Sequence, residues 1–99
     1  MSETAFRKRV LKDLQQLDNV YIETVQQKAI NGSPDYLLCC NSLFVGLELK
    51  DEDGVVSKLQ EYKLKQIRRC GGIDIVARPS TWKEDLAYLR RLADAPRER

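Results

Sequence analysis

The sequence contains no histidine and no Cys-x-x-Cys pair, and these absences restrict its chemistry. Histidine acid–base catalysis is excluded, and a zinc site is disfavoured because zinc is held mainly by histidine and cysteine. No apolar run is long enough to span a bilayer, and the short acidic N-terminus lacks the pattern of a signal peptide. We therefore expect no membrane partner.

Cysteine is present in an odd number, three. Cys39 and Cys40 are adjacent within an apolar stretch, and neighbouring residues of a strand point to opposite faces of the sheet. This arrangement favours reduced thiols that pack as small hydrophobic side chains. We expect an intracellular, cytoplasmic protein.

Length and composition indicate one small globular domain. The 99 residues are 42% hydrophobic and 32% charged, with a formal net charge of +2. This charge is too small for a protein that coats DNA non-specifically, so contact with a polyanion must be local. We expect a single stand-alone domain over residues 1–99, with a core at about 3–92 and a polar tail at 93–99.

Apolar periodicity and turn residues predict the order α-β-β-β-α-β-α, a single mixed sheet flanked by helices in the α/β class. A Thr81–Glu84 capping box is expected to open the last helix, after Pro79. The predicted elements are a helix over 2–17, strands over 20–25, 35–40 and 43–50, a helix from 57 to the glycines at 71–72, a strand over 73–77 and the last helix, with a polar loop over 26–33.

The pair Asn41-Ser42 has the length and residue types of a tight hairpin. If these are the two loop residues, Asp35 lies directly opposite Glu48, with β-carbons about 4.5–5.5 Å apart. Lys50 projects from the same face as Glu48. The opposite face then carries a continuous apolar set: Tyr36, Leu38, Cys40, Leu43, Val45, Leu47 and Leu49.

Two interpretations fit this charged trio. Two facing carboxylates repel, and a Mg²⁺ ion held by one or two carboxylates, water and substrate phosphate would relieve the repulsion. Alternatively, Glu48 and Lys50 form an ordinary salt bridge at a strand end, and Asp35 simply follows a turn.

The ordered motif Pro34-Asp35 followed by Glu48-Leu49-Lys50 resembles the Pro-Asp…(Asp/Glu)-x-Lys signature of the restriction-endonuclease-like superfamily. More narrowly, the chain resembles the virus-type replication-repair nuclease (VRR-NUC) domain over residues 3–92. The further matches are Gly32, Gly54, Ser57, Gln60 and the pair Gly71-Gly72.

The resemblance implies a metal-dependent nuclease with Mg²⁺ or Mn²⁺ as cofactor. Asp35, Glu48 and the backbone carbonyl of Leu49 would hold the ion, which polarises the phosphate and activates a water. Lys50 would position that water or stabilise the charge of the phosphate. Such a protein would act in the cytoplasm of a bacterium or a phage-infected host.

Glu3 is a further candidate metal ligand. On a 3.6-residue helix it shares a sector with Phe6, Val10 and Leu14, which directs its carboxylate at the sheet. In the similar family an acid on the first helix completes the metal shell. Alternatively, Glu3 is a first-turn acid that interacts with the helix dipole.

Gln60 has two possible roles. The similar family places a glutamine against the catalytic lysine and the substrate, whereas Ser57 and Gln60 also form a capping box. The basic residues of the same helix would contact DNA phosphates, or simply form a solvated face: Lys58, Lys63, Lys65, Arg68 and Arg69.

The predicted function is metal-dependent endonucleolytic hydrolysis of DNA, with branched DNA such as Holliday junctions as substrate and repair, recombination or phage replication as the setting. A homodimer is expected because symmetric junction cleavage needs two sites. The alternatives are a monomeric flap or single-strand nuclease and a non-catalytic nucleic-acid- or protein-binding module. The apolar residues available for an interface are Tyr62, Ile67, Trp82, Tyr88 and Leu89.

Overall fold

One four-stranded sheet organises the molecule. The computed structural model describes residues 2–26 and 31–96. Within these ranges the element order is α-β-β-β-α-β-α, as predicted, and the fold is α/β with a single mixed sheet. The elements are α1 (Glu3–Gln15), β1 (Val20–Thr24), β2 (Tyr36–Cys40), β3 (Leu43–Leu49), α2 (Lys58–Arg69), β4 (Ile73–Ala77) and α3 (Trp82–Asp94).

The sheet has the strand order β1-β2-β3-β4, so β3 is an inner strand. Neighbouring strands from β1 to β3 are antiparallel, whereas β3 and β4 are parallel. The predicted hairpin is confirmed, since Cys40 pairs with Leu43 and both loop residues have positive φ, 50° at Asn41 and 74° at Ser42. Two positive φ angles are characteristic of a type I′ turn.

One face of the sheet holds the main core, which packs between the strands and the helices α1 and α3. Leu47 and Leu49 are buried, as predicted. Burying each such side chain stabilises the fold by about 1.5–3 kcal/mol before entropy is considered. The buried set includes Phe6, Val10, Leu14, Tyr36, Leu38, Cys40, Val45, Leu47, Leu49, Ile75, Ala77, Trp82 and Leu89.

The start of α1 follows from its sequence. Ser2 is the N-cap, and its hydroxyl accepts a hydrogen bond from the Ala5 amide at 3.1 Å. Phe6, Val10 and Leu14 form the buried stripe of the helix. This packing fixes the side of α1 that meets the sheet.

Helix α2 packs on the other face of the sheet. Gly46 permits this approach, because a β-carbon there would collide with the Ile67 side chain. Ser57 and Gln60 form the predicted capping box at the start of α2, and Gly71, with φ 91°, follows its end. Since α2 begins immediately after the turn that follows β3, its first residues lie near the end of that strand.

Some sequence-based predictions were wrong or fall outside the described residues. Thr81 makes no side-chain capping bond to α3; its hydroxyl instead accepts from the Arg78 amide at 3.0 Å. Trp82 and Leu89 are fully buried core residues, so they are not available for an interface. Half of the predicted 26–33 loop, at 27–30, lies outside the described residues.

The two adjacent cysteines lie on opposite faces as expected, but only Cys40 packs in the core. Cys39 is exposed and Cys40 is buried, so the two point to opposite faces. Burial raises the pKa of the Cys40 thiol, which favours the neutral form of this side chain. No helix within the described ranges has the length and apolar character needed to cross a membrane.

Candidate active site

A polar pocket of about 300 Å³ lies at the carboxyl end of β3. Its walls come from the first turns of α1, the end of β3, the turn that follows it and the start of α2. The lining residues are Glu3, Arg7, Glu48, Leu49, Lys50, Asp51, Gly54 and Gln60. The pocket therefore brings together candidates that are up to 57 residues apart in the sequence, from Glu3 to Gln60.

Asp35 lies at this end of the hairpin, immediately before β2. Tyr36 pairs with Leu47, so one further step of the register sets Asp35 against Glu48, as predicted. The side chain of Asp35 is only 1% exposed, and its Oδ2 accepts a hydrogen bond from the Leu49 amide at 2.7 Å. This bond fixes the carboxylate against the segment between Glu48 and Lys50.

Glu48 is also buried, at 2% exposure, although it lines the pocket. The sequence predicts a solvent-reachable Glu48 beside Lys50, and this prediction was wrong, because neighbouring residues cover the Glu48 carboxylate. Lys50 Nζ lies 3.5 Å from Glu48 Oε2. The salt bridge considered from the sequence is thus present, but it is inside the pocket instead of on an open sheet edge.

Arg7 is a component of this site that the sequence analysis missed. Its Nη2 lies 2.7 Å from Asp35 Oδ1 and 3.5 Å from Glu3 Oε1. The repulsion expected between Asp35 and Glu48 is therefore compensated, since each carboxylate has a cation beside it. From the sequence, Glu3 and Arg7 form only an ordinary i,i+4 pair on a helix surface.

Glu3 lies at the mouth of the pocket and not inside it. Its side chain is 63% exposed, so the prediction that its carboxylate points at the sheet was wrong. The helical sector of Glu3 is that of Phe6 and Val10, but the first turn of α1 extends beyond the packed core. Position around a helix does not determine where along its axis the core ends.

Gln60 lines the pocket, and its Oε1 accepts a hydrogen bond from the Ser57 amide at 2.9 Å. Both roles considered from the sequence are thus compatible with its position: the oxygen serves the capping box, and the side chain borders the pocket. Its Oε1 already has a partner in Ser57.

The basic residues of α2 lie at different distances from the pocket. Arg69 is nine residues after Gln60, or about 13 Å along the helix axis. Arg68 donates to both oxygens of Asp74, and this pair lowers the pKa of Asp74. Lys65 Nζ lies 3.3 Å from Glu61. Lys58 and Arg69 are exposed, whereas Lys63 is half-buried.

The turn after Lys50 is held in place by a second arginine that sequence analysis did not find. Arg78 Nη1 donates to the carbonyls of Asp51 at 2.7 Å and Gly54 at 2.6 Å. A β-carbon at Gly54 would lie 2.7 Å from Asp51 Oδ1 and 3.3 Å from Lys50 Cδ. A larger residue there would press on the lysine of the site.

The donor set fits a hard divalent cation with few protein ligands. Within residues 2–26 and 31–96, no group of three or more His, Cys, Asp or Glu side chains is placed to hold a metal ion. The groups that could bind an ion here are the two buried carboxylates, Asp35 and Glu48, and the backbone of the adjacent Leu49. Mg²⁺ is usually bound by one or two carboxylates together with water and substrate phosphate, so these residues are compatible with it.

A second and larger pocket, of about 500 Å³, lies at the opposite end of β3. Its described lining residues carry no charge: Ser42, Leu43, Phe44, Gln66, Ile67, Cys70, Gly71 and Gly72. It contains neither carboxylates to hold a cation nor basic groups to bind a phosphate. Of the two pockets, the one at the Glu48 end therefore holds the charged groups.

Comparison of the chain with protein-family models, with curated proteins and with solved structures gave no match. The resemblance to VRR-NUC nucleases accordingly depends on the motif residues alone.

Proposed function

We propose that this protein is a metal-dependent endonuclease that hydrolyses phosphodiester bonds in DNA. The observation that carries the proposal is the pair of buried carboxylates, Asp35 directly before β2 and Glu48 on β3. Glu48 and its neighbour Lys50 line the polar pocket. Even with Arg7 and Lys50 beside them, two buried carboxylates stabilise a fold less well than apolar packing does, so their presence together favours a functional role. The order of these residues is also that of the nuclease signature.

Asp35, Glu48 and the Leu49 carbonyl would hold Mg²⁺ or Mn²⁺. When bound, the ion supplies polarisation of the phosphate and a lower pKa for an attacking water. Hydrolysis then forms one phosphorus–oxygen bond to water and breaks one to the nucleotide. A proton leaves the water, and the departing oxygen takes up a proton.

The side chains of the pocket have distinct roles in this reaction. Lys50, 3.5 Å from Glu48, can bind the attacking water or balance charge on the phosphate oxygens. Gln60 lines the pocket and can contact the substrate. Glu3, at the mouth, can reach the ion through a water. Lys58 is an exposed cation at the start of α2, where a phosphate of the DNA can bind.

The proposed substrate is branched DNA, including four-way junctions, cut by a homodimer. Its support is the similarity to small stand-alone nucleases together with the need of symmetric junction cleavage for two sites related by a two-fold axis. Tyr62, 57% exposed on α2, is one apolar residue available for an interface. A monomer that cuts flaps or single strands would have the same active site.

Cleavage of labelled flap, duplex and four-way DNA substrates at fixed salt tests the activity. We expect cleavage with Mg²⁺ or Mn²⁺ and none with EDTA, with activity restored when the divalent ion is added back. Cleavage that persists after complete removal of divalent ions would contradict the metal-dependent mechanism. DNA binding without cleavage under all metal conditions would instead favour a non-catalytic module.

Sedimentation at micromolar concentration tests the assembly separately. A dimer that cuts four-way junctions at symmetric positions is the expected result. A strict monomer that ignores junctions and cuts flaps would overturn the proposed substrate and leave the metal-dependent chemistry intact.

A further inference from the structure

We infer that Arg7 is a displaceable cation of the active site: it stabilises Asp35 in the metal-free protein and must move away when a divalent ion binds. The inference rests on the proposed metal site. It adds a residue that the nuclease motif does not contain, and it makes ion binding depend on the position of the Arg7 side chain.

The contacts place Arg7 where an ion would compete with it. Asp35 Oδ2 accepts from the Leu49 amide, whereas Oδ1 lies 2.7 Å from Arg7 Nη2. Arg7 lines the pocket, but the almost fully buried Asp35 does not. An ion in the pocket therefore reaches Oδ1 only after the guanidinium has moved.

Electrostatics gives the same conclusion. A carboxylate at 1% exposure needs a nearby positive charge, and Arg7 provides it in the metal-free state. A divalent ion at Oδ1 would supply more charge in the same place, and the guanidinium and the ion would repel each other. The two cations are therefore expected to exclude one another at this oxygen.

Arg7 has an alternative position within reach. The same Nη2 is 3.5 Å from Glu3 Oε1, one helical turn away at the pocket mouth. The Arg7 side chain is 30% exposed, so it is not locked in a packed core. Movement from Asp35 towards Glu3 would keep the guanidinium at the mouth, where it can contact an incoming phosphate.

Arg7→Gln tests this inference by two measurements that do not depend on catalysis. The first is the affinity for Mn²⁺, or for non-activating Ca²⁺, by calorimetric titration. If Arg7 leaves Asp35 in about one tenth of metal-free molecules, its removal should tighten ion binding about tenfold. The second is thermal unfolding in EDTA, where we expect the Tm to fall by about 5 °C or more because a buried carboxylate loses a nearby cation.

Arg9→Gln is the matched control. Arg9 lies on the same helix, its exposed side chain has its Nε 3.9 Å from Asp13 Oδ2, and it does not line the pocket. The substitution removes the same charge, so it reproduces any general effect of net charge on ion binding. We expect no change in ion affinity and little change in Tm.

Arg7→Lys, which keeps the charge without the planar fork, serves as the second variant if Arg7→Gln does not fold, and it should bind ions more tightly than the wild type.

The outcomes separate this inference from the proposed function. Tighter ion binding combined with lower metal-free stability, in the Arg7 variant alone, supports it. Unchanged or weaker binding by a folded Arg7 variant, while the wild type binds ions and cleaves DNA, would overturn the role of Arg7 only. If neither the wild type nor any variant binds divalent ions, both the metal site and the inference are wrong.

Discussion

The two faces of the β2–β3 hairpin show how one backbone register produces two environments. Residues on one face, such as Leu38 and Leu47, are buried among apolar side chains of α1 and α3. On the other face, Asp35 and Glu48 are buried to a similar degree. Leu47 and Glu48 are adjacent on the strand and nearly equally buried, but burial affects stability in opposite directions. Burying the Leu47 side chain stabilises the fold, whereas burying the Glu48 charge destabilises it.

The polar face compensates for this loss with paired charges. Arg7 lies beside Asp35, Lys50 beside Glu48, and Arg68 beside Asp74 on β4. Buried ion pairs add little to stability compared with apolar packing, and they are more sensitive to the loss of one partner. The comparison indicates that the apolar face maintains the fold, whereas the polar face holds the charged residues on which the proposed chemistry depends.

The largest expected effect is the loss of DNA cleavage in Asp35→Asn and Glu48→Gln. Removing one ligand charge should raise the barrier by about 4 kcal/mol, which corresponds to about a thousandfold in rate. Stability should change little, because each substitution removes a buried charge and the cations left behind, Arg7 and Lys50, are 30% and 20% exposed and can be solvated. Cleavage rates and thermal unfolding of the same preparations provide the test. A folded variant with wild-type activity would remove that carboxylate from the mechanism.

Leu47→Ala should have the opposite effects: lower stability and unchanged cleavage activity. Leu47 is fully buried, so truncation should lower the free energy of unfolding by about 2–5 kcal/mol through lost transfer energy and a cavity. The activity of the folded fraction should persist. Phe44→Ala is the control on the other face. The Phe44 ring is 47% exposed, so this substitution should lower the free energy of unfolding by less. Equal losses measured by urea unfolding would contradict the proposed difference between the faces.

Ser42→Gly should stabilise the turn that fixes the β2–β3 register and therefore which residues lie on each face. Ser42 has φ 74°, a left-handed conformation that glycine adopts without steric cost, and Asn-Gly is the preferred type I′ pair. We expect a gain of about 0.5–1 kcal/mol in unfolding free energy. Ser42→Ala should give no gain, because a β-carbon remains. A destabilised Ser42→Gly protein would show that the Ser42 hydroxyl contributes more than backbone strain costs.

The smallest expected effect concerns Asp74 and is clearest in acid. The side-chain hydrogen bond from Arg68 holds the pKa of Asp74 below its ordinary value of 3.8. A lowered pKa means that the stabilisation is present above pH 3.8 and is lost as pH falls through the folded-state value. Asp74→Asn should therefore weaken the acid dependence of Tm below about pH 4 and lower Tm slightly at neutral pH. An unchanged acid profile would exclude a contribution from this pair.

Much of the site was predictable because it depends on local pattern. The Asn41-Ser42 turn and strict alternation were sufficient to set Asp35 against Glu48, since a side-chain period of two leaves no other register once the turn is fixed. The capping box of Ser57 and Gln60 is equally local. The capping prediction at Thr81 failed because Arg78, a loop residue, provides a competing hydrogen bond.

The sequence by itself determined the element order, the hairpin register and the clustering of Asp35, Glu48 and Lys50, because these follow from periodicity and turn chemistry. Only the tertiary structure decided how deeply Glu48 is buried, that Glu3 extends to the pocket mouth, and that Arg7 lies beside Asp35. The physical reason is that solvent exposure and charge pairing depend on how α1, α2 and the turn pack around the end of β3. Such packing joins residues far apart in the chain, and no local pattern encodes it.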